Sequence, residues 1–140
     1  LSESLAVLEA LGREVPAPGC WHAVDLCCGK SLTSALLALR HPAVITAVDR
    51  VLPTNLPHYE DAGVASVTYM QRDVLAPDFL EALLQRIELV GRPTVILGMH
   101  LCGLLSERAV EAFRSIKDIR LCILAPCCMP HRDIAPSTLA

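Results

Sequence analysis

The chain has 140 residues, 53% of them hydrophobic and only 4% aromatic, and a formal net charge of −3. That length fits one domain with a buried core, and the charge supplies no basic footprint for nucleic acid, so an RNA partner needs positive surface from outside this stretch. No apolar run reaches the roughly 18 residues of a membrane-spanning helix, and no secretory signal pattern is present.

The apolar content is Ala, Val, Ile, Leu and Cys, which suits a sheet buried on both faces. Seven cysteines form an odd set with adjacent pairs at Cys27–Cys28 and Cys127–Cys128. This is no secreted disulfide framework, and a reducing intracellular compartment, cytoplasmic or nuclear, is expected. The first residue is Leu1 rather than Met, so a piece of a longer protein is expected.

Residues 1–19 read as an N-terminal helix and linker. Leu1, Leu5, Leu8 and Leu11 mark one helical face that stops at Gly12, and Pro16 and Pro18 follow. Residues 20–130 read as the core of one domain, beginning with a strand over 23–27. Leu32, Ala35, Leu36 and Leu39 fall on one face of a helix that ends at His41-Pro42. The β-branched run over 43–48 reads as a central parallel strand. Residues 52–63 read as a loop, and 64–70 as a third strand. Pro77 and Asp78 open a helix with Leu80, Leu83, Leu84 and Ile87 inward, and Gly91-Arg92-Pro93 breaks it. A fourth strand spans 94–99. Ser106 reads as the cap of a helix with Ala109, Ala112, Phe113 and Ile116 inward. A fifth strand covers 119–125, and 131–140 is a polar tail.

Strands alternating with helices predict an α/β fold, a Rossmann-like doubly wound parallel sheet of order 3-2-1-4-5. Its ligand crevice lies at the carboxyl ends of the strands, beside strand 1. That order brings together residues 27–31, Asp49, Asp73, 100–103 and 126–129.

The motif residues give this crevice a chemistry. Asp25-Leu-Cys27-Cys28-Gly29-Lys30-Ser31 follows the first strand, and Asp49 lies twenty residues after Gly29 at the end of the second. A nucleotide-binding βαβ unit has this layout: a turn for close backbone approach, a helix N-terminus facing the ligand, and an acid for the ribose hydroxyls. The stretch resembles class I S-adenosylmethionine-dependent methyltransferases, whose first motif is Asp-Leu-Gly-x-Gly-x-Gly. A subgroup writes Asp-Leu-Cys-x-Gly-Lys-Gly; here Ser31 departs from it. With His100-Leu-Cys102-Gly103 and the later Cys127-Cys128, the chain is similar to tRNA 2′-O-methyltransferases and related methyltransferase-like proteins.

The resemblance implies S-adenosylmethionine as cofactor, with Asp25, Cys27, Gly29, Lys30, Asp49, Arg50, Asp73 and Val74 around it. Asp49 stands at the ribose position and Asp73 at the adenine amino group. It implies an RNA acceptor, tRNA first, or else a protein; His100, at a strand end next to the crevice, is the catalytic candidate. It also implies two further strands after the fifth, which this stretch does not supply.

Other readings stay open. Gly29 and Asp49 also suit an ordinary turn and a solvated strand end. Asp25 reads more readily as a brace for the turn than as a ligand contact, and Lys30 is either near a ligand carboxylate or simply solvated. His100 is also compatible with a satisfied core histidine, Trp21 with packing, and Cys122 with the core. The cysteines near the crevice with His100 could hold zinc, but no Cys-x-x-Cys pair is present, so no metal is assigned. Cys127 or Cys128 as a nucleophile toward a pyrimidine ring ranks low, since nothing nearby lowers a thiol pKa. A nicotinamide-dependent oxidoreductase is the runner-up, disfavoured by the missing Gly-x-Gly-x-x-Gly. A non-catalytic Cys-rich metal-binding module is third.

Overall fold

A computed structural model of the chain describes residues 2–15, 17, 20–41, 43–51 and 66–126. The elements in order are α1 (Ser2–Glu14), β1 (His22–Leu26), α2 (Leu32–Arg40), β2 (Val44–Asp49), β3 (Val67–Gln71), α3 (Phe79–Val90), β4 (Thr94–Met99), α4 (Leu104–Ser115) and β5 (Ile119–Ala125). All five strands pair in parallel in the order β3-β2-β1-β4-β5. This is the Rossmann-like arrangement expected from the sequence. The expected loop over 52–63, the opening of the third strand at 64–65, Pro16, Pro18, Cys127, Cys128 and the tail lie outside the described residues.

The sheet is covered on both faces. Side chains alternate across a strand. Val24 and Leu26 of β1 and Ile96 of β4 pack with Phe79, Leu83 and Ile87 of α3 and Ala109 and Ala112 of α4. Ala23, Ile45, Val95 and Leu97 face the other way, against Val7, Leu8 and Leu11 of α1 and Leu37 of α2. The N-terminal helix is therefore part of the core layer rather than an appendage.

Several helix faces differ from the hydrophobic periodicity. α1 runs past Gly12, and its buried residues are Ser4, Val7, Leu8 and Leu11, with Leu5 exposed. On α2, Leu32 is exposed and Leu39 is 60% exposed, while Thr33, Ser34, Ala35 and Leu37 are buried. Polar contacts set this rotation. Thr33 Oγ1 lies 2.9 Å from Ser4 Oγ on α1, and Ser34 reaches Asp25 on β1. On α3, Phe79 rather than Leu84 is buried. α4 begins after Gly103, so Ser106 sits inside the first turn and its hydroxyl donates to the Leu101 carbonyl; Phe113 is exposed. β1 ends one residue earlier than the sequence suggests because Cys27 leaves the extended region.

His22 opens the central strand and is fully buried. Its Nε2 lies 2.8 Å from Thr46 Oγ1 on β2, and its Nδ1 3.3 Å from Thr94 Oγ1 on β4. Arg86 of α3 donates to the same Thr46 hydroxyl at 3.1 Å. Burial, reinforced by the charges of Arg86 and Arg92, pushes the imidazole from 6.5 down to about 4. The fold therefore holds neutral His22, whereas the unfolded chain takes up the proton near pH 6.5. The resulting stability is complete above that pH and is lost as pH falls toward about 4. We expect the advantage of wild type over His22→Gln to shrink by up to about 3 kcal/mol across that window. Urea unfolding of both proteins between pH about 7.5 and 4 checks this, and a constant difference would contradict it.

Candidate functional site

The chain leaves β1 through a loop in which every second residue is left-handed. Cys27, Gly29 and Ser31 have φ of +53°, +53° and +60°. Only glycine adopts that region without a steric penalty, and an L-residue there costs about 1–2 kcal/mol. These are the three positions at which the resemblance places glycine. The loop thus has left-handed backbone at all three positions, two of them occupied by residues with a Cβ, and strained backbone of this kind clusters at functional sites. A Cβ built on Gly29 would meet nothing within 4 Å, so the space above the loop centre is open.

Hydrogen bonds fix the loop against the end of β2. Cys28 N–H donates to the Val48 carbonyl at 3.0 Å, and Ser31 N–H to the Cys28 carbonyl at 2.6 Å. Gly29 N–H donates to Asp49 Oδ2 at 2.9 Å, while Val51 N–H donates to Oδ1 at 3.1 Å. A carboxylate offers about four acceptor sites. These two bonds orient Asp49 and leave capacity for about two more donors, the number a vicinal diol presents.

Asp25 works underneath. It is buried; its Oδ2 accepts the Ser34 hydroxyl at 2.7 Å, and the carboxylate also accepts the Ser34 backbone N–H. Ser31 makes no side-chain cap to α2, so Asp25 takes the amide that an N-cap side chain ordinarily takes. Burial pushes this carboxyl up to about 6, against the two Ser34 bonds that favour its ionised form and with the nearby Asp49 charge. Asp25 is a brace for the turn.

The adjoining strand end supplies the second wall. Arg72 N–H donates to the Asp49 carbonyl at 2.9 Å, and Asp73 Oδ1 accepts the Leu75 N–H at 2.9 Å. A cleft of about 440 Å³ lies here, lined by Cys27, Asp49, Arg50, Arg72, Asp73, Val74, Leu75 and Leu105. Its volume falls within the range of small-molecule sites. A groove of about 540 Å³ along the outer face of α4 shares no residue with it.

Five of the expected residues therefore line one cleft: Cys27, Asp49, Arg50, Asp73 and Val74. Gly29 contributes its N–H to Asp49, Asp25 lies buried beneath the turn, and Lys30 is exposed and outside the lining.

The structure does not bring His100 into this cleft. Beyond Met99, Leu101 is buried over Gly98, where a Cβ would come within 2.8 Å of Leu124 Cδ2 and closer still to Leu101. His100 takes φ +57° at this reversal, and its N–H donates to the Ala125 carbonyl at 2.8 Å. Its Nε2 lies 3.0 Å from Glu3 Oε2 on α1, with both side chains more than half exposed.

The thiols are held protonated. Burial, with the charges of Asp49, Asp25 and Asp73, pushes Cys27 up to about 11. Burial and Asp25 push Cys28 up to about 12. Neither is poised as a thiolate at neutral pH. Among the described residues, no group of three or more His, Cys, Asp or Glu side chains is arranged to hold a metal ion.

No family model matches the chain, and no curated protein matches it.

Sequence reasoning missed Ser34, Arg72, Leu75, Leu105 and Arg108. Ser34 looks like an ordinary polar residue on an apolar helix; its spacing of nine from Asp25 was the available signal. Leu105 and Arg108 reach the site only through tertiary packing of α4.

Gly29→Ala should lower the unfolding free energy by about 1 kcal/mol or more, because the site is left-handed, without any clash. Urea denaturation checks this. An unchanged midpoint would mean that the turn relaxes out of the left-handed region.

Proposed function

We propose that the cleft binds S-adenosylmethionine and that the chain is the cofactor-binding part of a methyltransferase. One observation carries this reading: left-handed backbone at Cys27, Gly29 and Ser31, with the Gly29 N–H orienting the Asp49 carboxylate. That arrangement allows close backbone approach to a ligand and presents an acid with about two remaining acceptor sites for ribose hydroxyls. Asp73 and Val74 form the adjoining wall, suited to the base. Motif order along the chain supports the same assignment.

When bound, the cofactor supplies a methyl group already activated on a sulfonium. The chain's own residues then bind and orient it for in-line transfer. Arg50 and Arg72 stand beside Asp49 and Asp73 at the cleft, so its carboxylates are flanked by compensating charge. A hydroxyl acceptor also loses a proton. His100 lies outside the cleft, at the neighbouring strand end with Glu3 against its Nε2, and we assign it that role toward an acceptor seated beside the cleft. The acceptor we favour is RNA, tRNA first, on the strength of the motif resemblance; a protein acceptor is the alternative. Cys20, Cys27, Cys28 and Cys122 are free thiols, which supports a cytoplasmic or nuclear setting. No helix among the described residues is long and apolar enough to cross a membrane.

Calorimetric titration with S-adenosylhomocysteine should give a dissociation constant on the order of micromolar, with NAD binding far more weakly. Asp49→Ala should raise that constant about tenfold or more, equivalent to about 1.4 kcal/mol. No binding by folded protein, or equal binding of NAD, would overturn the assignment. Transfer of labelled methyl to tRNA but not to protein would then fix the acceptor class.

A further inference from the structure

α4 reaches the candidate cleft in two ways. Leu105, the second residue of the helix, lines it directly. Arg108, three residues on, reaches across to the loop between β3 and α3. Its Nε donates to the Val74 carbonyl at 3.2 Å and its Nη2 to the Ala76 carbonyl at 3.0 Å. Its Nη1 lies 2.7 Å from Glu111 Oε2 on the same helix. Only 17% of the Arg108 side chain is exposed.

The two accepting carbonyls flank Leu75, which lines the cleft together with Asp73 and Val74. The loop has its own internal bonds: Leu75 N–H on Asp73 Oδ1 and Ala76 N–H on the Asp73 carbonyl. Those bonds shape the loop but do not tie it to α4. The guanidinium does. Its donors form a rigid planar fork that can hold two carbonyls at once, a geometry that a lysine ammonium cannot reproduce. Glu111 holds a third donor and so restrains the rotation of the fork. This side chain thereby helps to fix the separation between Leu75 on the loop and Leu105 on the helix, which both line one slot of the cleft.

We propose that Arg108 is a positioning residue that sets the width of this slot, and with it the placement of Asp73 against the ligand's base. The proposal rests on the reading of the cleft as an S-adenosylmethionine site, on which the slot receives the adenine ring. Arg108 touches neither ligand nor reacting atoms in this scheme; it acts through the backbone of the loop.

The test compares two ligands that differ only at the base, S-adenosylhomocysteine and S-inosylhomocysteine, in which a carbonyl replaces the amine. Titrations use the full chain as wild type, Arg108→Ala, Arg108→Lys and Asp49→Ala, with thermal unfolding run on each. Wild type is expected to prefer the adenosyl ligand about tenfold. Arg108→Ala is expected to weaken adenosyl binding about tenfold and bring the preference close to unity. Arg108→Lys, able to hold one carbonyl, falls between them. Asp49→Ala weakens both ligands alike and preserves the ratio. A purely structural role would lower the unfolding midpoint and leave the ratio unchanged, and that result overturns the proposal. If Arg108→Ala does not fold, Arg108→Lys decides, and an unaltered ratio again overturns it. Equal binding of the two ligands by wild type shows that this wall does not read the base and also overturns it. Failure of wild type to bind either ligand removes the cleft assignment itself. Wild-type binding with preference, retained in the Arg108 variants, removes only the role of Arg108.

Discussion

The N–H of Gly29 ties the loop after β1 to the end of the neighbouring strand β2. It donates to Asp49, and the Cys28 amide beside it extends the β1–β2 ladder one step past the last paired residues. The turn is thereby held flat against β2 and α2 can begin at Leu32. Asp25, lying on the α1–α2 face of β1, then catches the first turn of that helix through Ser34. The helix start, the orientation of Asp49 and the open space over the loop all follow from this pair of aspartates and the backbone between them.

The two aspartates divide the work by environment. Asp25 is enclosed, its carboxyl raised to about 6 by burial and spent on a neighbouring helix. Asp49 is half-exposed, braced by two backbone amides and still able to accept. The same side chain is structural at one strand position and available to a ligand at another, because Asp25 lies within the buried strand β1 and Asp49 at the open end of β2.

Strand identity and order were readable because they rest on composition. The run over 43–48 is rich in β-branched residues and carries no charge, and helix-forming segments separate the strands. The stretch from Asp25 to Asp49 was readable because its spacing is a geometric requirement of the turn. Helix faces were not. Periodicity put Leu32 and Leu39 inward on α2, whereas Thr33 and Ser34 face the core because each has a polar partner there. Apolar periodicity carries no trace of such pairings. His100 shows the same limit. Its place after the fourth strand was correct, but the burial of Leu101 over Gly98 and the contact with Glu3 are tertiary facts. Arg108 had no local signal, since both of its carbonyl partners lie more than thirty residues away.

His22 records an asymmetry in how this sheet must be built. Its two threonine partners lie 24 and 72 residues along the chain, on β2 and β4 respectively. Loop-closure entropy grows with the logarithm of separation, so the second contact costs about 1 kcal/mol more to close than the first. The loop over 27–31 and Asp49 lie wholly inside the short-range unit. Leu105 and Arg108 belong to the long-range half. The chain therefore carries a cleft whose walls have different contact orders: Gly29 meets Asp49 across twenty residues, whereas Arg108 meets Val74 and Ala76 across more than thirty.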